Sequence, residues 1–573
     1  MSDMIGGSRI SGARCLAETL SGYGVTHIFM VPAVLRRSMA EMERYTKIKN
    51  IHTHGEKSAA YMADGYARAS GRPSVCMAQQ TGALNLAAGL RDAWLARSPV
   101  IAMTGGSRPD QRFRGLYQEA EDFPAFEPYT KWNASVYSIN RFPDMLRQAF
   151  RTATSGNPGP VHLQFEGQEG EIDQQEGDIA VAIDRAFKNV PPFRPMPDPE
   201  LIRDAVELIC GSKKPVLVCG GGVRHSRAGE MLVRFAEAAN IPVATTLNGR
   251  DSIPSTHPLS MGTVGTYSRP SANQCVHHAD LVIFVGSSVG SMSTNFWRLP
   301  QSGIQVIQID IEGENIGRNY SVTVGIHADA RVSLEALCTE FSKQPSQPER
   351  ASWVVENQGR YEDWSKARSS IIKSNDVPIR PERVCGDLSQ LLPEDAILVV
   401  DTGHAGMWMA SMYENNHSSQ SFIRSAGHLG WAFPAGLGAK CACPDRPVVT
   451  FTGDLGFWYH IGDVETAVRW GINAITIVNN NSSGNQSKRG FAIAYDNEPT
   501  ERSRELWVHE EVSFADIANT IGALGIRVSH PDEFGDALST ALSSNRPAVI
   551  DVVTDMEATA PLAWDAENWM QRY

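Results

Sequence analysis

The stretch GDLGFWYHIGDVETAVRWGINAITIVNNN, residues 453–481, opens on a glycine turn and an acid and closes on three asparagines. The apolar run PVVTFTGD, 447–454, leads into it, and a second run, AITIVNNN, 474–481, ends it. The residues between them read as a helix. Strand, helix and strand in that order make the unit of a parallel sheet, because parallel neighbours need a crossover. Working outward, the same alternation recurs along the chain. VTHIFMVP (25–32), PSVCMAQQ (73–80), SPVIAMTG (98–105) and PVHLQF (160–165) form a first set. KPVLVCGGG (214–222), IPVATT (241–246), DLVIFVGSS (280–288) and IQVIQIDI (304–311) form a second. AILVVDTG (396–403) and PAVIDVVT (547–554) complete the third. Near-continuous apolar runs mark strands buried on both faces.

Two seams divide the sets. FKNVPPFRPMPDPE, 187–200, has five prolines and reads as an extended linker. The other seam runs from SKQPSQPER, 342–350, to VPIRPER, 377–383. The expected fold is α/β, with three doubly wound parallel-sheet domains at 1–186, 196–345 and 375–560 and a tail at 561–573. A chain of 573 residues is too long for one core. Its net charge of −12 argues against a nucleic-acid or membrane-surface partner. No apolar stretch reads as a transmembrane helix, and the first residues lack the core of a signal peptide. Nine scattered cysteines without a CxxC point to a reducing cytoplasm.

In a doubly wound sheet, ligands gather at the carboxyl ends of strands. Asp454 follows one such end, and Asn479, Asn480 and Asn481 stand at another. An acid, an amide oxygen and a backbone carbonyl suit a hard cation such as Mg²⁺, which keeps water and phosphate oxygens as its other ligands. Gly453 and Gly456 let the backbone approach phosphates, and the helix after them aims its N-terminus there. A strand-end turn with asparagine caps is the plainer alternative.

The pattern resembles the diphosphate–Mg²⁺ motif of the thiamine-diphosphate enzymes, which begins Gly-Asp-Gly and ends in a double Asn. Leu455 stands in place of the second glycine. The resemblance implies Asp454, Asn480 and the Ser482 carbonyl as metal ligands, with Asn481 the second choice of amide. Gly453, Leu455 and Gly456 would lie against the diphosphate. HGEKSAAYMADGYARASGRPSVC, 54–76, resembles the pyrimidine-domain motif of the acetolactate synthase branch. There Glu56 would hydrogen-bond the pyrimidine N1′ and run general acid–base catalysis through the cofactor ring. SAGHLGWAFPAGLGA, 425–439, is similar to the loop that carries Gly427 and the apolar wedge, Leu429, beneath the folded cofactor. DTGHAGMW, 401–408, is similar to the diphosphate-side loop, with Gly403, His404 and Ala405 at the phosphates.

On the substrate side, QQTGALN (79–85) and LYQEAEDF (116–123) match segments of the same branch and place Gln80 and Gln118 near the reacting carbon. Val31 lies on the loop that faces it from VTHIFMVPAV, 25–34. Plain core or surface roles are the alternatives for these three. The segment after the asparagines, SSGNQSKRGFAIAYDNEPTERSRELW, lacks the helix that selects the second substrate in acetolactate synthases. The middle set resembles a domain that holds FAD in acetolactate synthases and ADP or nothing in other members. The implied activity is C–C bond cleavage or formation on a 2-oxo acid or 1,2-dicarbonyl. Acetolactate-synthase-like carboligation comes first, with a decarboxylase or a diketone hydrolase as alternatives and a non-catalytic nucleotide-binding scaffold last. The resemblance further implies a homodimer or homotetramer with active sites between chains.

Overall fold

The structure, a computed structural model, describes residues 3–4, 8–344 and 349–567. The end of the expected tail, 568–573, and part of the second seam, 345–348, lie outside the described residues. Three six-stranded parallel sheets carry the chain. The first comprises His27–Met30, Lys49–His52, Ser74–Ala78, Val100–Gly106, Asn133–Val136 and Val161–Glu166. Its strands stand in the order second, first, third, fourth, sixth, fifth. The last sheet comprises Ile397–Val400, Ser421–Arg424, Val448–Gly453, Ile475–Asn480, Leu524–Val528 and Ala548–Val553, and repeats that order. The middle sheet comprises Pro215–Cys219, Val243–Thr245, Ser260–Thr263, Leu281–Val285, Gln305–Asp310 and Val324–His327. Its order, third, second, first, fourth, fifth, sixth, is that of dinucleotide-binding sheets.

Each apolar run read from the sequence coincides with one of these strands, two of which, Val100–Gly106 and Val161–Glu166, end one residue beyond their run. The six strands those runs leave out are the two edges of each sheet. An edge strand is covered on fewer sides and tolerates polar residues, so Lys49–His52 and Ser421–Arg424 carry no continuous apolar signal. The proline seam is irregular over 189–198, after which Asp198 caps the helix Pro199–Gly211, with proline at its first position. The second seam is not a linker throughout. It contains the helix Ala351–Arg368, whose Trp353 is buried against the middle sheet.

One apolar core joins the first and last sheets. At its centre the helix Glu56–Ser70 crosses the helix Ala432–Ala442 backbone to backbone. A Cβ on Gly65 would stand 2.0 Å from the Ala435 carbonyl oxygen, and one on Gly438 would stand 1.9 Å from that of Met62. Beside the crossing, the buried Arg68 guanidinium donates to Asp64 and to Asp92, at 2.7 Å for the latter. Trp431 Nε1 donates to Asp64 at 2.9 Å, and the Ala426 amide donates to Asp92 at 2.9 Å. A single arginine and two acids thus fasten one sheet to the other.

Candidate functional site

In the first and last sheets, the chain leaves the first strand toward the second on one side and the third on the other. The crevice at such a reversal is where open α/β sheets bind ligands. In the first sheet the loops at that point start at Val31 and Gln79, and in the last sheet at Asp401 and Asp454.

Asp454 begins a short helix, and its carboxylate is buried. Oδ1 accepts from the Leu455 amide at 2.6 Å. Oδ2 accepts from the amides of Asn481 at 2.9 Å and Ser483 at 3.2 Å. The acid therefore draws the loop after the neighbouring strand onto its own, with Ser482 at φ 55°. This answers why an acid at one strand end is followed by amides at the next. Two of the expected ligands have partners within the chain. Asn480 ends its strand with its amide nitrogen bonded to Asp551 Oδ1 at 2.8 Å and to the Val512 carbonyl at 2.9 Å. Its Oδ1 accepts from the Ser482 amide at 3.4 Å. The Ser482 carbonyl accepts from the His509 amide at 2.9 Å. The next residue, Asn481, just past the strand end, reaches Asp454 through its backbone amide, and its Oδ1 accepts from the Ser483 hydroxyl at 2.8 Å. No donor among the described residues reaches the Ser483 carbonyl.

Two more loops meet this group. Gly403, at φ 71°, precedes the helix His404–Met412. The His404 imidazole is pushed down to about 4 by burial, and its Nδ1 has no hydrogen-bond partner among the described residues. Ala405 is buried behind it. Gly427 is exposed at φ 144°, and Leu429 is half-buried outside the packed cores. A Cβ on Gly453 or Gly427 would meet nothing within 4 Å, so open space adjoins both. Gly456 is closely surrounded, and Leu455 is partly exposed.

The residue that ties these loops together, Asp401, was not singled out from the sequence. Its buried carboxylate accepts from the Thr402 amide at 2.8 Å, the Gly430 amide at 3.0 Å and the Thr452 hydroxyl at 2.9 Å. Burial pushes this acid up to about 7. His509 was also missed. Its Nε2 stands 3.7 Å from Asp454 Oδ2, and that carboxylate holds the imidazole above its ordinary value. The signal for Asp401 was present, as the acid opening DTGHAGMW; His509 lies in the segment that matches no familiar pattern.

Glu56 begins its helix half-buried and accepts from Asn85 Nδ2 at 3.2 Å. A Cβ on Gly82 would stand 2.4 Å from Glu56 Oε1, so the carboxyl occupies room that only glycine leaves. Val31 is half-buried at its strand end. Gln80 is buried with its amide nitrogen on Ser107 Oγ at 2.9 Å and the Ala120 carbonyl at 3.1 Å. It braces the 107–120 loop from inside. Gln79 is the one that meets Gln118, whose Oε1 accepts from it at 2.7 Å. Gln118 itself stands at φ 63°.

The middle sheet has its own crevice, between its first and fourth strands. A cavity of about 380 Å³ opens there, lined by Gly220, Gly222, Gly286 and Asp310 among others. A Cβ on Gly222 would stand 2.6 Å from the Gly286 Cα, which keeps the two loops in backbone contact. Asp310 ends the fifth strand and accepts from the Glu312 amide at 2.8 Å.

Three family profiles match the chain. They are thiamine pyrophosphate enzyme, N-terminal TPP binding domain, over 10–125; central domain, over 202–337; and C-terminal TPP binding domain, over 401–552. The chain is 31% identical to the "Probable acetolactate synthase large subunit" of Methanocaldococcus jannaschii, over 96% of this chain and 93% of that protein. It is 29% identical to the sulfoacetaldehyde acetyltransferase of Alcaligenes xylosoxydans xylosoxydans, over 97% and 95% respectively. The acetolactate synthase large subunit of Haemophilus influenzae is 27% identical, over 96% and 95%.

Proposed function

The chain belongs to the acetolactate synthase-like family of thiamine-diphosphate-dependent enzymes, and from that premise we propose that it makes or breaks the C–C bond beside the carbonyl of a 2-oxo acid or 1,2-dicarbonyl. Carboligation of the acetolactate synthase kind is the reaction we assign. When bound, thiamine diphosphate supplies the carbon nucleophile and the electron sink for that bond change.

The residues fit a Mg²⁺–diphosphate group. Hard oxygen donors converge in the Asp454 carboxylate, the Asn481 amide and the Ser483 carbonyl, and these replace Asn480 and Ser482 in our assignment. Mg²⁺ is ordinarily held by one or two carboxylates plus phosphate oxygens. No trio of His, Cys, Asp and Glu side chains is therefore required, and none occurs among the described residues. The open space beside Gly453, the φ of Gly403 and the unpartnered His404 Nδ1 suit the phosphates. Neutral His404 donates a hydrogen bond there without adding charge.

Glu56 would hold the pyrimidine nitrogen through its carboxyl group, which Asn85 and Gly82 fix in place. Leu429 would pack against the cofactor, and Gln118, steadied by Gln79, would face the substrate together with Val31. In our reading one cofactor is served by Glu56 of one chain and Asp454 of another, in a homodimer or homotetramer. The central cavity takes a nucleotide, FAD or ADP, with Asp310 toward its ribose and the glycine loops at its phosphates. A cytoplasmic location accords with nine free cysteines. No described helix is long and apolar enough to cross a membrane.

The observation that carries this reading is the Asp454 carboxylate accepting from both Asn481 and Ser483. Its test is protein saturated with thiamine diphosphate and Mg²⁺ and offered pyruvate, glyoxylate, 1,2-diketones and sulfoacetaldehyde, with CO₂ release and product mass recorded. An acetolactate-type product from pyruvate is expected, lost in Glu56→Gln while Mg²⁺-dependent cofactor binding persists. Hydrolysis of a diketone without CO₂, or turnover unchanged in Glu56→Gln, overturns it.

A further inference from the structure

A second cavity, of about 440 Å³, lies across the helix Gly221–His225 from the nucleotide crevice. All three sheets contribute to its wall. The end of the Glu56–Ser70 helix, the segment 221–229 of the middle unit, and residues 418–424 of the last unit meet there. Five arginines line it, Arg68, Arg224, Arg227, Arg424 and Arg446, against one carboxylate, Asp251.

Two of the five are neutralised. Arg68 pairs with Asp64 and Asp92, and Arg224 stands 3.6 Å from Asp251. The other three have no carboxylate within ion-pair distance among the described residues. Arg424 donates to Asn248 Oδ1 at 3.2 Å and to the Ser425 carbonyl at 2.6 Å. Burial pushes it down to about 10. Arg446 donates to the carbonyls of Asp395 at 2.7 Å and Ser419 at 2.8 Å. The Arg227 guanidinium has no hydrogen-bond partner among the described residues; its amide donates to the Arg224 carbonyl at 2.9 Å, and it stands at φ 53° with Nη2 laid over Gly71. Carbonyls and amides accept hydrogen bonds but leave the charge. Arg227 is exposed at the rim, while Arg424 and Arg446 are half-buried; cations drawn even partly out of water are ordinarily paired with a counter-charge, and for these two none comes from the described residues.

We infer that this cavity is a binding site for a phosphate-bearing dianion, held by Arg227, Arg424 and Arg446. Guanidinium forks match phosphate oxygens two at a time. The volume lies within the range of small-ligand pockets. An anion there ties the three sheets together at one point. It also steadies the strand Ser421–Arg424, which runs directly into the loop of Gly427 and Leu429. The dianion has two sources, free phosphate or the tail of a nucleotide reaching over from the adjoining crevice, and we assign free phosphate.

The test uses full-length protein saturated with thiamine diphosphate and Mg²⁺, so that the diphosphate loops are filled. Thermal unfolding is followed against inorganic phosphate, with chloride at equal ionic strength as reference. Saturable stabilisation by phosphate is expected. It should persist with ADP present and weaken about tenfold in Arg227→Gln and in Arg446→Gln, since hydrogen bonds to charged groups are worth about 1.5–3 kcal/mol. The Arg227 guanidinium has no partner among the described residues, so its substitution leaves the unliganded protein's Tm unchanged, and Arg203→Gln, on an exposed helix face, serves as control. Chloride matching phosphate overturns the inference, as does an affinity indifferent to both substitutions. Competition by ADP, with ADP itself bound more weakly by Arg227→Gln, assigns the anion to the nucleotide and overturns a separate site.

Discussion

Adjacent asparagines at one strand end have opposite fates. Asn480 looks toward the last strand and satisfies buried Asp551, while Asn481 lies against Asp454. Asn481→Ala should weaken Mg²⁺-dependent cofactor binding by at least the ~10–100-fold seen when a supporting ligand is lost, with little effect on stability. Asn480→Ala should do the reverse, costing about 1–3 kcal/mol by leaving the buried Asp551 Oδ1 without its donor, while Oδ2 keeps Arg527 and the Phe514 amide. Cofactor titration and urea unfolding of both variants separate the two. The sequence could not choose between them, because the choice depends on where the strand ends and what each residue then meets, and that follows from the fold. Asp401 makes the second prediction at this scale. Its carboxyl is raised from an ordinary 3.8 to about 7 by burial. A folded value above the unfolded one gives stability that is full below about pH 3.8 and is lost as pH rises through about 7. The stability difference between wild type and Asp401→Asn should therefore fall across that window, as read by urea midpoints at several pH values.

The elements best read from sequence were the strands buried on both faces, because burial there writes itself as an unbroken apolar run. All six edge strands escaped, and so did the helix Ala351–Arg368, whose apolar residues form no clear stripe. That helix has a visible task. Its Arg368 donates to the Met412 carbonyl at 2.6 Å, and Arg250 donates to the Ala410 carbonyl at 2.7 Å. Both cap the end of His404–Met412, whose other end faces the proposed phosphates. Cations at a helix C-terminus favour its dipole. The central helix crossing also resists inference from pattern, since glycines in a helix look merely like weak helix formers. Gly438→Val should force the backbones at Met62 apart and cost about 1–3 kcal/mol or more through overpacking. A fall in Tm with the far-ultraviolet spectrum retained is the expected signature.

Across the whole molecule, the three-sheet plan was legible and the fastening between sheets was not. Arg68, Asp64 and Asp92 are ordinary in a sequence; only the fold makes them one buried group. Arg68→Met should leave two acids uncompensated and cost about 3–5 kcal/mol, the penalty for removing one partner of a buried pair. Adding Asp64→Asn should recover part of it, and a calorimetric cycle over the four proteins measures how much. The identity of strand order in the first and last sheets reaches further. In each, the helix after the second strand is the one that crosses its counterpart, so the chain carries one strand order twice, joined at those two helices. A ligand held between a first sheet of one chain and a last sheet of another meets two like frames, yet thiamine diphosphate has a ring at one extremity and a charged tail at the other. The two frames differ where we propose the cofactor is held: one has an acid, Glu56, at a helix start, the other an acid, Asp454, at a strand end with Asn481 opposite it. Each lacks what the other has, and an isolated half of this chain would carry a scaffold with only one grip.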